Sequence, residues 1–516
     1  MAYGGGGAPV GRVAVPPYGM GGKRVFVRPA PSCAFRGTVT RSAAIAESAE
    51  SSESADSVAT AGADRSGGPA RPRTQQAVLR DTLLRPGYLT TLLLCGLIGI
   101  PVSLLAFWFL AALHEIEHIV WVTWPHALGH GAPPWWWPLP MAVVPAVGGA
   151  LAVRYLPGRG GHVPAAGLHP GGASVTALPG VVLAAVCCLP WGVVLGPEAP
   201  LIALGGGLAL LFRDLLRAPG GRTGTSPAGT ASAVTVSAGT ALVGAAGSAA
   251  AVSAIFGNPL VGAILLMEVA GAGGPRLFAV MLPVLLASGV GSVVFTGFGR
   301  WTGLQVGGLK LGLPAPPRLD TGDVVWSVLT AVVIGAAVHG LLVLGRRVAV
   351  PAATRPLPVI AACAAGMALC VALYAATTGR SPAEAALSGQ AALAGLARDP
   401  HSWPVGALIA VLAFKGAAYA LCLGSLRGGP IFPALFLGGG AGVLLAPLPG
   451  YGVVPAMAAG MAAAATAALR LPVSSVVLVA LLVGRTDALP VIILAAVVSF
   501  TVTTLAPQGP DVAPER

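Results

Sequence analysis

Charged side chains are scarce in this chain. Lys and Arg number 30 and Asp and Glu 18 among 516 residues, so 9% of the chain is charged, against about 25% in an ordinary soluble domain. With 55% hydrophobic residues and a mean hydropathy of +0.81, polar surface is too limited to cover a water-soluble globule, and the chain belongs in lipid. The net charge of +12 does not point to nucleic acid. Lys23, Arg24, Arg28, Arg36, Arg41, Arg65, Arg71, Arg73, Arg80 and Arg85 all precede the first long apolar run, with no basic-aromatic stripe among them. They read as a positive flank retained in the cytoplasm.

Cysteine is equally uninformative as chemistry. There are seven, an odd number, with no C-x-x-C, and Cys33 is the one outside the apolar segments. Neither a disulfide framework nor a thiolate metal site follows, and Cys95, Cys187, Cys188, Cys363, Cys370 and Cys422 read as small buried hydrophobes. No cofactor is called for.

Residues 1–79 are rich in Gly, Ser, Ala, Pro and Arg, with AESAESSESADS typical. Such a stretch cannot bury enough apolar surface to order itself and is expected to be a disordered cytoplasmic tail. It lacks the pattern of a signal peptide. From Tyr88 the character changes. Apolar runs follow at roughly 88–124, 141–155, 178–195, 199–216, 231–255, 260–270, 277–298, 324–344, 357–376, 405–423, 431–445, 454–468, 473–483 and 489–505. A span needs about 20 apolar residues, so several are too short to cross. Short runs bounded by Gly and Pro predict half-helices and re-entrant turns, which survive at membrane depth only where protein or a wet cavity satisfies the loose backbone. The expected architecture is all-α and polytopic, with a membrane domain over 80–507 and a short tail over 508–516.

An internal echo supports this. PLVGAILL from Pro259 resembles PVSSVVLV from Pro472, an offset of 213, and each follows an Ala/Gly-rich helix. A two-fold repeat with paired broken segments is a transporter signature that places the site at the repeat interface.

Two motifs carry the chemistry. Gly196-Pro197-Glu198-Ala199-Pro200 lies between apolar helices, and proline is tolerated in a helix's first turn, where its missing N–H costs nothing. The motif therefore starts a helix inside the membrane, and free N–H groups and the helix dipole there attract anions. Glu198 is a carboxylate planted at that anion site, where an ionisable group is functional by default; the plainer alternative is a glutamate capping its own helix. Gly428-Gly429-Pro430-Ile431-Phe432-Pro433 starts a second such helix, with the N–H groups of Ile431 and Phe432 available to an ion.

GPEAP resembles the G-(K/R)-E-G-P motif of the CLC family of chloride channels and anion–proton antiporters, and GGPIFP its G-x-F-x-P region. Gly160-Gly161-His162-Val163-Pro164 resembles its G-S-G-I-P motif, in order and after a span ending in Arg154. The paired segments at Pro259 and Pro472 resemble the family's interface helices, and the likeness runs from residue 80 to about 505. It implies an inverted repeat, with Glu198 as gate competing with the anion. It also implies an anion site built by Gly161, Gly196, Pro197, Ala199, Gly429, Ile431 and Phe432. Chloride is then the expected ion, and the protein a homodimer in a bacterial-type plasma membrane, one pore per subunit, both termini cytoplasmic.

The chain departs from the family in places. Gly161 offers no hydroxyl where the family usually has a serine. Pro430 falls on a backbone-donor position and has no N–H. The sequence ends at Arg516, so no counterpart is expected of the family's last helix and its coordinating tyrosine, nor of regulatory nucleotide-binding domains. The inner proton-relaying glutamate of the family's exchangers aligns with Val269, with Glu268 one residue earlier and about 100° round the helix. Glu268 reads as a polar anchor or a substitute proton residue, and the lean is towards channel-like flux. Lys415 reads as near the anion route, paired with Glu268, or snorkelling.

His114-Glu115-Ile116-Glu117-His118 is a literal H-E-x-x-H, which on a helix sets two histidines one turn apart to bind zinc while Glu115 activates water. An intramembrane zinc metalloprotease is thus a rival class. It lacks a well-placed third ligand, since Asp214 and Asp487 sit beside arginines and Asp320 and Asp323 in or beside a Pro-rich connection. The plainer reading is the polar end of the first long helix meeting the interface beside Trp121 and Trp124. A third class, a cation- or solute-coupled transporter of another fold, fits broken helices too; prolines at the helix starts favour N-termini at the site, and hence an anion.

Overall fold

A computed structural model of the chain describes residues 80, 84, 86–167, 173–216, 230–271, 275–304, 308–309, 311–313 and 319–512. The tail expected over 1–79, Cys33 and the N-terminal basic residues other than Arg80 lie outside them, as do residues 513–516.

Among the described residues the regular structure is helical, and eight helical segments are long and apolar enough to cross a membrane. The helices of eleven or more residues are α1 (Pro86–His118), α2 (Leu178–Cys188), α3 (Glu198–Leu216), α4 (Thr230–Phe256), α5 (Pro259–Ala270), α6 (Pro275–Thr302), α7 (Thr321–Thr354), α8 (Pro356–Thr378), α9 (Val405–Ser425), α10 (Ile431–Leu445), α11 (Val453–Leu469), α12 (Pro472–Val483) and α13 (Leu489–Leu505). The apolar runs predict most of these bounds because Pro and Gly punctuate them, though α7 runs ten residues past the expected 344 and α2 stops seven short of 195. Proline stands in the first turn of α2, α5, α8, α12 and α13, and a left-handed glycine follows α5, α8 and α12 at Gly271, Gly379 and Gly484, the conformation in which helices end at least cost. The segment Pro138–Tyr155 is also helical, with a π-helical turn at Pro145–Gly149.

The repeat is real in three dimensions. α3, α4, α5 and α6 correspond to α10, α11, α12 and α13. The same crossing holds each pair together: a Cβ on Gly205 would run into the Gly247 carbonyl, and one on Gly438 into that of Gly460. Gly205 and Gly438 each lie seven residues into their helices, and Gly247 and Gly460 each lie twelve before the proline that opens the next. Small residues let the backbones approach where lipid supplies no hydrophobic drive. α11 is buried along Val454–Leu469, so it sits at the centre rather than facing lipid.

One expectation is corrected here. Trp121 does not sit at an interface: it is buried, and its Nε1 donates to the Pro190 carbonyl at 2.9 Å, while Trp124 is exposed. The described residues after α13 pack back on the fold. The His339 ring nitrogen lies 3.0 Å from the Pro507 carbonyl, Arg470 donates to Gln508, and Gly509 packs on Arg346.

Candidate functional site

α3 and α10 begin at one place. The turns that lead into them are joined by two main-chain hydrogen bonds, Gly196 N to the Gly429 carbonyl at 2.8 Å and Gly429 N to the Gly196 carbonyl at 2.5 Å. The bridge fixes the two helix starts against each other, and Glu198 opens α3 directly beside the first turn of α10.

The Glu198 side chain is fully buried and crosses to the other helix. Its Oε1 accepts from the Phe432 amide at 2.8 Å, and the amides of Ile431 and of Glu198 itself also bear on the carboxylate. Its Oε2 is buried without a hydrogen-bond partner. A Cβ on Gly196 would lie 2.2–2.6 Å from the carboxylate atoms of Glu198, and one on Gly429 would also overlap Oε2. The glycines are therefore a slot cut to the carboxylate as well as turn formers. Pro430 is the N-cap of α10 and brings no N–H, as its alignment predicts; its carbonyl accepts from the Tyr419 hydroxyl at 2.8 Å. The amides left for an anion are those of Ile431 and Phe432.

The structure thus brings together Gly196, Glu198, Gly429, Ile431 and Phe432, with Pro197 and Ala199 adjoining in sequence. Gly161 belongs to a turn of its own. It closes a tight turn with φ 94°, its amide donating to Gly158, and the link to the site runs through Arg427, whose Nε donates to the Arg159 carbonyl at 3.1 Å just before Gly428 and Gly429.

Two cavities flank the bridge. One of about 460 Å³ reaches Leu195 and Pro197 and is lined by His114, Glu117, Gln390 and Arg398. The other, of about 160 Å³, is lined by Arg159, Ser425, Arg427 and the C-terminal Asp511 and Val512. Tyr419, Arg427 and Glu117 were not singled out by sequence as site residues. For Tyr419 a signal existed, since it stands one helical turn from Lys415 on α9.

Glu268 is elsewhere and engaged. Its Oε1 accepts from Val473 N at 3.1 Å, and its Oε2 from Ser474 N at 2.7 Å and Ser474 Oγ at 2.5 Å. α5 is capped by its own Asn258, but the N-cap position of α12 is Leu471, whose side chain cannot cap; Glu268 supplies that cap from the first half of the repeat. Lys415 neither pairs with Glu268 nor snorkels. It is fully buried, with Nζ 2.7–3.3 Å from the carbonyls of Glu384, Ala385, Ala386 and Leu387.

His114, Glu115 and His118 are exposed on α1. Among the described residues no group of three or more His, Cys, Asp or Glu is placed to hold a metal. Of the third ligands weighed, Asp214 accepts from Arg213 at 2.7 Å, while Asp320 and Asp323 form the reciprocal cap of α7.

Comparison with known proteins agrees with the geometry. The family model described as "voltage gated chloride channel" matches residues 152–504. Curated relatives include the ion-transport proteins named YfeO of Salmonella newport and Salmonella typhimurium, each 27% identical over 199 residues; the match covers 38% of this chain and 44% of theirs. Among solved structures, one titled a slow cyanobacterial Cl⁻/H⁺ antiporter superposes with TM-score 0.64 at 16% identity, covering 80% of this chain and 94% of that one. One titled a CLC-type fluoride/proton antiporter does so with TM-score 0.59 at 19% identity, covering 80% and 95%. The chain is an integral membrane protein with the inverted-repeat CLC fold, and it belongs to the voltage-gated chloride channel (CLC) family of anion transporters.

Proposed function

We propose that this protein carries small inorganic anions, chloride foremost, through a pathway that Glu198 gates. One observation carries the reading: the Glu198 carboxylate, itself an anion, sits on the amides that open α10. A helix start favours negative charge by about 0.3–1 kcal/mol at exposed sites and up to about 2 kcal/mol when partly buried. A mobile anion and the side chain therefore compete for one seat. The buried Oε2 without a donor leaves the side chain imperfectly satisfied, at a cost of about 1–3 kcal/mol, so it is a tenant that an anion can displace. The cavities at Pro197 and at Arg427 supply an approach to the two motifs. Anion efflux from liposomes holding the purified protein, with external pH recorded alongside, tests the reading.

Preference within the class is a matter for competition among chloride, nitrate, bicarbonate and fluoride, because Gly161 and Pro430 remove a hydroxyl and an N–H from the family's selectivity positions. The assembly proposed with it is a homodimer in a bacterial plasma membrane, surrounded by lipid, one pore per subunit and both termini cytoplasmic.

Coupling has two readings. Passive flow is favoured by the inner end of α5, where Val269 cannot hold a proton and the Glu268 carboxylate is taken up by three donors of α12. Proton exchange is favoured by a titratable gate and by the titles of the two superposed structures. We take passive flow as the primary reading. A reversal potential measured under opposed proton and anion gradients separates them: it follows the anion gradient alone for passive flow and shifts with pH for exchange.

A further inference from the structure

Lys415 and Tyr419 stand one turn apart on the face of α9 that meets α10. The Tyr419 hydroxyl binds the Pro430 carbonyl at the start of α10, and the Lys415 Nζ lies 5.0 Å from the ring of Phe436, one turn further in. The lysine is fully buried. Its Nζ faces four carbonyl oxygens in succession, Glu384 at 3.3 Å, Ala385 at 3.0 Å, Ala386 at 2.7 Å and Leu387 at 3.2 Å. An ammonium has three N–H donors and no acceptor, and a shell made only of acceptors is what solvates a cation. The loop is bent to form it. Leu387 takes the left-handed conformation at φ 60°, and Gly389 at φ 87° lies so close that a Cβ would stand 3.1 Å from the Lys415 Cε.

Among the described residues no carboxylate pairs with this cation at contact distance. The Glu384 carboxylate is spent on Arg380, at 2.8 Å from both Nε and Nη2, and on the Tyr374 hydroxyl at 2.5 Å. Among the described residues the ion pairs are Arg213–Asp214 and Arg380–Glu384. Glu117, on the wall of the larger cavity, interacts with Lys415 at longer range. A charge at membrane depth is costly and is kept where it serves a pathway.

We propose that Lys415, a cation held in its shell of carbonyls, is an affinity-determining residue of the anion pathway that acts on the anion seat of α10 from behind Phe436. The inference rests on the reading that the Ile431 and Phe432 amides hold the anion. Four residues of helix separate Phe432 from Phe436, roughly 6 Å of rise, so Nζ stands about 10 Å from the seat. A unit charge at about that distance, in a medium of effective dielectric about 20, changes the affinity for a monovalent anion roughly tenfold. The Glu198 carboxylate gains from the same charge as the anion that displaces it. The two gains cancel in the native protein and part only when Glu198 is removed.

Calorimetric titration of the full chain in detergent with sodium chloride, in a Glu198→Ala background, is therefore the test. Lys415→Gln keeps N–H donors for the carbonyls and drops the charge; chloride Kd is expected to rise roughly tenfold, whereas Lys415→Arg keeps it within about threefold. Glu117→Gln, on the cavity wall, removes the acidic neighbour of Lys415 and is expected to tighten chloride about two- to threefold. An unchanged Kd in folded Lys415→Gln, or a weaker one in Glu117→Gln, overturns the assignment and makes Lys415 a strut of the loop, with the anion seat intact. Absence of chloride binding in Glu198→Ala itself overturns the seat, and the inference with it.

Discussion

The Phe432 amide donates to the Glu198 carboxylate across 2.8 Å, joining the first residue of one half-helix to the second of another 234 positions away in sequence. This hydrogen bond puts an acidic side chain where two helix starts make a seat for anions.

If the seat is shared, replacing the carboxylate changes who occupies it. Glu198→Gln should mimic the protonated side chain and Glu198→Ala should vacate the site, so the pH response of anion flux should vanish in both. A wild-type pH response in both variants would return Glu198 to the role of a helix cap.

The slot around the carboxylate gives a second prediction. At Gly196 the atoms nearest to an added methyl are those of the Glu198 carboxylate. Gly196→Ala should therefore destabilise the protein by about 1–3 kcal/mol, the usual cost of overpacking, and most of that loss should disappear in Gly196→Ala with Glu198→Ala. Thermal melting of the four proteins in detergent forms the cycle. Additive losses would show that the glycine serves the turn and not the carboxylate.

Several helices were legible in the sequence because their breaks are written in Pro or Gly: Pro259 and Gly271 bracket α5, Pro472 and Gly484 bracket α12. The site was legible as two motifs, and the structure joins them through Gly196 and Gly429. What stayed hidden is tertiary. Nothing local shows that the uncapped start of α12 borrows Glu268 from the other half of the repeat, because the two lie over 200 residues apart. Lys415 could be read as snorkelling because a lysine in an apolar run usually reaches for water; the four carbonyls that hold it come from a loop about 30 residues upstream. The H-E-x-x-H of α1 is a complete local pattern whose third ligand has to come from elsewhere, and it shows how little such a motif says without its surroundings.

Glu268 as a cap yields a stability prediction with a transport control. Glu268→Ala should cost about 1–2 kcal/mol, as the loss of a helix cap does, and Glu268→Gln should leave the reversal potential where it was. A pH-dependent reversal potential that disappears in Glu268→Gln would make this carboxylate a proton stop and the protein an exchanger.

For the histidine pair, His118→Ala should leave anion flux unchanged, and metal analysis of purified protein should return no stoichiometric zinc. One tightly bound zinc per chain would reopen the protease reading.

The central claim is that this chain moves a small anion past Glu198. Its most direct test is the efflux of chloride from liposomes loaded with potassium chloride, triggered by valinomycin and recorded together with external pH. The predicted result is protein-dependent chloride release that Glu198→Gln renders indifferent to pH. Liposomes holding folded protein that release no chloride, nitrate, bicarbonate or fluoride under any gradient would contradict it.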